Sequence, residues 1–201
     1  MRILLLCSSF NGLTQRVWTD LRADGHEVVH RTAGSDDAMR GAVAAVDPDL
    51  ILCPFLKERI PDDIWTSRPT VIIHPGPEGD RGPSSLDWAI SGAEPEWGVT
   101  ALSAVAEMDA GPIWGTRGFR LPSEPPRKSA LYAGPVTEAA SALARQVVAK
   151  VSDPTFRPRP LDYSRPGVRG RLRPTMRQAD RAFSWSDPTD CLLYTSPSPR
   201  D

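Results

Sequence analysis

The sequence predicts an α/β domain built on an open, doubly wound, mostly parallel sheet. Two observations predict it. Short apolar runs near residues 2–7, 49–54 and 70–74 lack the polar alternation of a half-solvated strand, which marks strands covered on both faces. Segments with helical patterning and capping residues alternate with these runs, as in a succession of βαβ units.

The elements follow in order. Residues 2–7 read as the first buried strand; the apolar run is too short for a signal peptide, and polar Ser8, Ser9 and Asn11 follow at once. A turn over Ser8–Gly12 leads into a helix from Leu13 to Asp24, ended by Gly25. Glu27–Arg31 form the second strand, and Ser35 caps a helix running to Val46. Asp49–Pro54 are the third strand, Pro61–Trp65 a helical turn, and Thr70–His74 the fourth strand, β-branched at Val71, Ile72 and Ile73. Ser84–Ser91 read as a helix packed through Leu86, Trp88 and Ile90. Thr100–Val105 and Ile113–Phe119 read as antiparallel strands flanking a turn at Asp109. Ser129 is expected to cap a long helix ending near Val151. Residues 152–174 are dense in Pro and Arg and read as a linker, with an unordered C-terminus from about Ser152.

The domain division is therefore 1–151 for the α/β domain, 152–174 for the linker, and 175–190 for the start of a second subdomain. Cys191 to Asp201 resemble the in-frame translation of a transposase adapter used in DNA library preparation. The tail is thus expected to be non-native, with the natural chain continuing beyond Asp190.

Composition narrows the function classes. A hydrophobic share of 40% with 24% charged residues is that of a soluble globular protein with a core. With 24 basic and 25 acidic residues, the charge gives no case for nucleic-acid or membrane partners. Cys7, Cys53 and Cys191 fit neither a zinc site nor a disulfide framework. No metal and a reducing cytoplasm are expected.

In doubly wound sheets, ligands bind beyond the carboxyl ends of the strands. That rule places Ser8–Asn11, Pro54–Lys57 and His74–Gly76 along one crevice. His74 ends a buried strand and leads into the Gly/Pro-rich loop Pro75–Gly82, and histidine is suited to proton transfer near neutral pH. Asp109 lies in the turn Glu107–Ile113. Read singly, His74 is a satisfied strand-end histidine and Asp109 an Asx-turn residue. Read together, they form an acid/base pair in which the carboxylate orients the imidazole. The first loop lacks the Gly-x-Gly-x-x-Gly dinucleotide fingerprint, but its helix start offers N–H groups for a phosphate, with Asn11, Thr14 and Gln15 at hand. Cys7 and Cys53 read as small buried residues rather than nucleophiles.

Several segments, in order, resemble the N-terminal domain of enzymes that use 10-formyltetrahydrofolate. They are Asp47–Leu56, Val71–Gly82, Trp88-Ala89-Ile90, Gly98-Val99-Thr100 and Met108–Ile113, covering about residues 1–150. The wording of Leu6–Gln15, His74–Pro77, Gly82–Ile90 and Lys128–Tyr132 is similar to hydrogenase maturation proteins of the HypX/HoxX type. The resemblance implies a formyltransferase N-terminal, Rossmann-like fold. It implies formyl transfer to coenzyme A as the first step in making the carbon monoxide ligand of [NiFe]-hydrogenase. It also implies a crotonase-like domain further along the same protein and a connection to the hydrogenase maturation machinery.

By resemblance, His74 and Asp109 are catalytic, and the folate cosubstrate is bound by Pro54, Phe55, Leu56, Lys57, Pro75, Gly76 and Arg81. Asn11 and Gln15 border the acceptor's path. One departure stands out: Ile72 occupies the place of the family's Asn, two residues before the histidine. Loss of such an oxyanion donor elsewhere costs about 3–4 kcal/mol of barrier. The alternatives are an amine acceptor, on a nucleotide sugar or aminoacyl group, and a domain that binds folate or a nucleotide without turning it over.

Overall fold

The computed structural model describes residues 1–124 and 126–181. Its core is a six-stranded sheet in the order β2-β1-β3-β4-β5-β6. The strands are β1 (Arg2–Cys7), β2 (Glu27–Thr32), β3 (Leu50–Cys53), β4 (Thr70–His74), β5 (Glu96–Ser103) and β6 (Ile113–Arg120). Pairing is parallel from β2 through β4 and antiparallel from β4 to β6. The helices are α1 (Gly12–Ala23), α2 (Asp36–Val46), α3 (Asp62–Ser67), α4 (Ser85–Ser91), α5 (Lys128–Leu131) and α6 (Thr137–Val151).

The unbroken apolar runs have a plain cause. Alternate residues of one strand enter two different cores. Ile3, Leu5, Leu50, Leu52, Val71 and Ile73 pack against α1 and α6, through Val17, Leu21, Leu143 and Val147. Leu4, Leu6, Ile51 and Cys53 pack against α2 and α3, through Met39, Val46 and Ile64. The caps are local. Asn11 Oδ1 accepts from Thr14 N at 3.0 Å and starts α1, and Ser35 Oγ accepts from Ala38 N at 3.2 Å and starts α2.

Three expectations are corrected. The strand expected from Thr100 begins at Glu96, because pairing with β6 extends to Glu96–Arg120 despite Gly98. The helix expected to be capped by Ser129 starts at Lys128 after Arg127, which makes no side-chain cap. It is also not continuous: a π turn spans Tyr132–Val136, with Gly134 non-helical and Pro135 inside. Proline lacks the N–H that an α-helix needs there, and the wider turn absorbs the break.

The third correction matters most for function. The Pro/Arg-rich segment after Ser152 lies on the domain as a strap. Arg159 and Ile113 exchange backbone hydrogen bonds at 3.0 and 2.6 Å. Glu78 holds Arg159 at 2.6 Å and Arg165 at 3.4 Å, and Tyr163 Oη donates to Gly79 O at 3.1 Å. Backbone bonds run from Arg81 N to Arg171 O and from Arg173 N to Arg81 O, at 3.2 and 2.9 Å. Trp88 Nε1 donates to Pro174 O, and Met176 is buried. Proline density prevents regular elements, which is why the segment reads as a linker, but its arginines meet carboxylates of the loop after β4. Gln178–Arg181 form a 3-10 turn. The rest of the expected second subdomain, residues 182–190, and the adapter-like tail 191–201 lie outside the described residues.

Candidate active site

The carboxyl ends of the parallel strands carry the chemistry-bearing loops. The loops after β1 and β3 are tied together: Ser8 N donates to Phe55 O, and Lys57 N to Ser8 Oγ, both at 2.8 Å. His74 is the last residue of β4, in register with Thr100 of β5.

The imidazole lies between two carboxylates. Nε2 is 3.0 Å from Asp80 Oδ2, and Nδ1 is 3.4 Å from Asp109 Oδ2. The side chains of His74, Asp80 and Asp109 are 5%, 0% and 11% exposed. The structure thus brings His74 and Asp109 together and adds Asp80, which sequence reasoning missed. The missed signal was a carboxylate six positions after the histidine, inside the same Gly/Pro loop.

Local chemistry explains how Asp80 reaches the ring. The loop turns back through Asp80 N to Pro77 O at 2.9 Å. A Cβ on Gly76 would come within 2.6 Å of His74 Nε2 and closer still to Asp80, so only glycine lets the two side chains meet. The loop is pinned from outside. Pro75 O accepts from Ser85 Oγ and Trp97 Nε1, and Gly76 O accepts from Thr100 Oγ1. Asp109 sits in the left-handed region, φ 51°, which Asp tolerates better than most side chains. Its Oδ2 accepts from Gly82 N at 3.0 Å. Arg81 fixes the same turn, donating from Nε to Met108 O at 2.8 Å and pairing with Glu107 at 2.7 Å.

Burial pulls the His74 pKa down, but the Asp80 hydrogen bond and the charges of Asp109 and Asp80 outweigh it. The net shift is upward from the ordinary histidine value. A carboxylate only accepts, so Asp80 selects the ring form with hydrogen on Nε2. Nδ1 is then the atom that can gain or lose a proton. At 3.4 Å its approach to Asp109 is longer than a charge-assisted hydrogen bond of about 2.7–2.9 Å. The arrangement can orient an imidazole and move a proton at Nδ1, on the side of the more exposed carboxylate.

The remaining candidates lie on the loops and elements that follow β1, β3 and β4. Pro54 is buried, Phe55 and Leu56 are half-buried and Lys57 is exposed. Phe55 meets the Tyr132 ring edge-on at 6.4 Å, and Lys57 Nζ lies 5.5 Å from the Phe55 ring. Asn11 is engaged as the α1 cap, and Gln15 Nε2 donates to Phe10 O at 2.9 Å. Ile72 packs into the α2/α3 core. Burial pushes the Cys7 thiol up to about 11 and raises Cys53, so neither is an activated nucleophile. A cavity of about 450 Å³ between α4 and the end of β6, lined by Ile90, Glu94 and Leu121, shares no residue with the His74 group.

No protein-family model matches the chain. It is 46% identical over 185 residues to hydrogenase maturation factor HoxX of Bradyrhizobium diazoefficiens, covering 92% of this chain and 32% of that protein. A crystal structure of HypX from Aquifex aeolicus in complex with tetrahydrofolic acid aligns with a TM-score of 0.89 and 38% identity. That alignment covers 99% of this chain and 35% of the other. Methionyl-tRNA formyltransferase from Clostridium thermocellum shares the fold, with a TM-score of 0.73 at 14% identity over 98% of this chain and 82% of the other. The chain therefore has the Rossmann-like formyltransferase fold. It spans about a third of the length of its HoxX and HypX relatives. Over that span, the chain closely matches the hydrogenase maturation factor HoxX and HypX.

Proposed function

We propose that the domain transfers a formyl group from 10-formyltetrahydrofolate to the thiol of coenzyme A, the first step in making the carbon monoxide ligand during [NiFe]-hydrogenase maturation. The observation that carries this reading is the buried imidazole between Asp80 and Asp109 at the carboxyl end of β4. It occurs in a chain 38% identical to a HypX structure solved with tetrahydrofolic acid. Folate lies across Pro54, Phe55, Leu56 and Lys57 and the loop carrying Pro75, Gly76 and Arg81. The acceptor passes Asn11 and Gln15.

His74 and Asp109 act as the catalytic pair. The acceptor thiol gives up its proton toward Nδ1 of His74, with Asp109 beside the transfer path. The sulfur adds to the formyl carbon, and the carbon–nitrogen bond to the folate then breaks. The folate nitrogen takes the proton, leaving tetrahydrofolate and a formyl thioester. A thiolate is a strong nucleophile, so this acceptor makes smaller demands on the oxyanion donor that Ile72 does not supply. The imidazole and both carboxylates are largely buried, at 5%, 0% and 11% exposed, which keeps the proton path away from bulk water.

The rest of the protein supplies a crotonase-like domain that uses the formyl thioester, in the cytoplasm and in contact with the maturation machinery. Among the described residues, no helix is long and apolar enough to cross a membrane. A second reading rests on Ile72: with an apolar side chain in the donor position, the domain binds folate without turnover. Incubating the chain with 10-formyltetrahydrofolate and either coenzyme A, an amino sugar nucleotide or no acceptor separates the readings. Formyl-coenzyme A detected by mass spectrometry, formed at the rate tetrahydrofolate appears, supports the first. Folate binding with no release under any acceptor supports the second.

A further inference from the structure

The strap brings a buried cation to the far side of Asp80. Asp80 uses Oδ2 on His74, and its Oδ1 faces Arg173 Nε at 3.3 Å; neither of these two atoms has a hydrogen-bond partner among the described residues. The Asp80 side chain is fully buried and that of Arg173 is 12% exposed. The guanidinium lies over the Trp97 ring, 5.3 Å from its centroid, and its Nη2 is 3.7 Å from Glu94. The Arg173 backbone is set just as firmly. Its N–H donates to Arg81 O, and a Cβ on Gly82 (φ 112°) would collide with its carbonyl.

The charges around the imidazole explain why a cation belongs there. The loop after β4 brings Asp80, with Glu78 and Arg81. The β5–β6 turn brings Asp109 and Glu107, the α4–β5 turn brings Glu94, and the strap brings Arg159, Arg165 and Arg173. Arg81 is paired with Glu107, and Glu78 with Arg159 and Arg165. Asp80, Asp109 and Arg173 remain as the charges set directly on His74 or on its partner. Two buried carboxylates with one imidazolium carry a net negative charge; the guanidinium cancels it.

We infer that Arg173 is a positioning residue for the His74 centre: by holding Asp80 from behind, it fixes the ring's Nε2–H form and sets the pH at which Nδ1 exchanges its proton. The strap is thereby part of the active site. The inference deepens the proposed formyl-transfer reading. Its test follows His74 itself, so failure of transfer and failure of this inference are distinguishable.

The test is an NMR titration of the chain labelled with ¹⁵N-histidine, in the wild type, Arg173→Gln and Arg173→Lys. Removing the cation lets the two carboxylates hold the imidazolium more tightly, so Arg173→Gln raises the His74 midpoint by about one unit or more. Arg173→Lys returns it most of the way. In the wild type above the midpoint, the nitrogen shifts report the Nε2–H tautomer. An unmoved midpoint in a folded Arg173→Gln protein overturns the inference. If that variant does not fold, Arg173→Met, which keeps an aliphatic stem beside Trp97 but no cation, is read in the same way: a raised His74 midpoint sustains the inference and an unmoved one overturns it.

Discussion

Asp80 Oδ2 stands 3.0 Å from His74 Nε2, six residues earlier in the chain, in a contact that the missing side chain of Gly76 makes possible. The ring is oriented from within its own loop, and the more distant Asp109 is the less buried of the two carboxylates.

That relationship predicts the behaviour of Asp80→Asn. An amide fits the space but no longer selects the Nε2–H form, as a neutral partner fails to do in hydrolase triads, where turnover falls by about four orders of magnitude. Single-turnover formyl release should drop by at least a hundredfold, while tetrahydrofolate affinity by calorimetry stays within about threefold. Unchanged release would remove Asp80 from the mechanism.

The pH dependence of stability follows from the raised His74 pKa. A group whose pKa is raised on folding stabilises most fully below its unfolded value, ordinarily 6.5, and loses that contribution as pH rises through the folded value. Urea unfolding of wild type and His74→Gln from pH 6 to 9.5 should show the wild-type advantage shrinking as pH rises. An advantage that grows with pH would reverse the assigned sign.

Gly76→Ala places a methyl group against both Asp80 and His74 Nε2. Overpacking of this kind costs about 1–3 kcal/mol. A lower melting temperature is expected together with loss of formyl release, because the ring and carboxylate are pushed apart. Retention of both would show that the loop can open without cost.

Asn11 caps α1 through Thr14 N, so Asn11→Ala should cost about 1 kcal/mol of stability in urea. If Asn11 also borders the acceptor, the KM for coenzyme A rises while folate affinity does not. A stability loss with unchanged KM limits Asn11 to the cap.

Much of the architecture was legible. Residues 2–7 and 70–74 declare themselves because their side chains enter two cores at once, leaving no polar alternation. His74 and Asp109 drew notice as polar residues where elements end. Asp80 did not, because its burial depends on Gly76 locally and on Arg173 far along the chain. The strap was hidden by its composition: proline and arginine describe a linker until the arginines are seen paired with Glu78 and Asp80. The break at Gly134 and Pro135 was overlooked within a strongly periodic run.

The proposed formyl transfer depends on the His74 imidazole. Its most direct measurement is the rate at which the chain releases tetrahydrofolate from 10-formyltetrahydrofolate in the presence of coenzyme A, compared between wild type and His74→Gln at equal folate saturation. Acceptor-dependent release is expected in the wild type, with a loss of at least a hundredfold in the variant and folate still bound. Equal rates in the two proteins would contradict it.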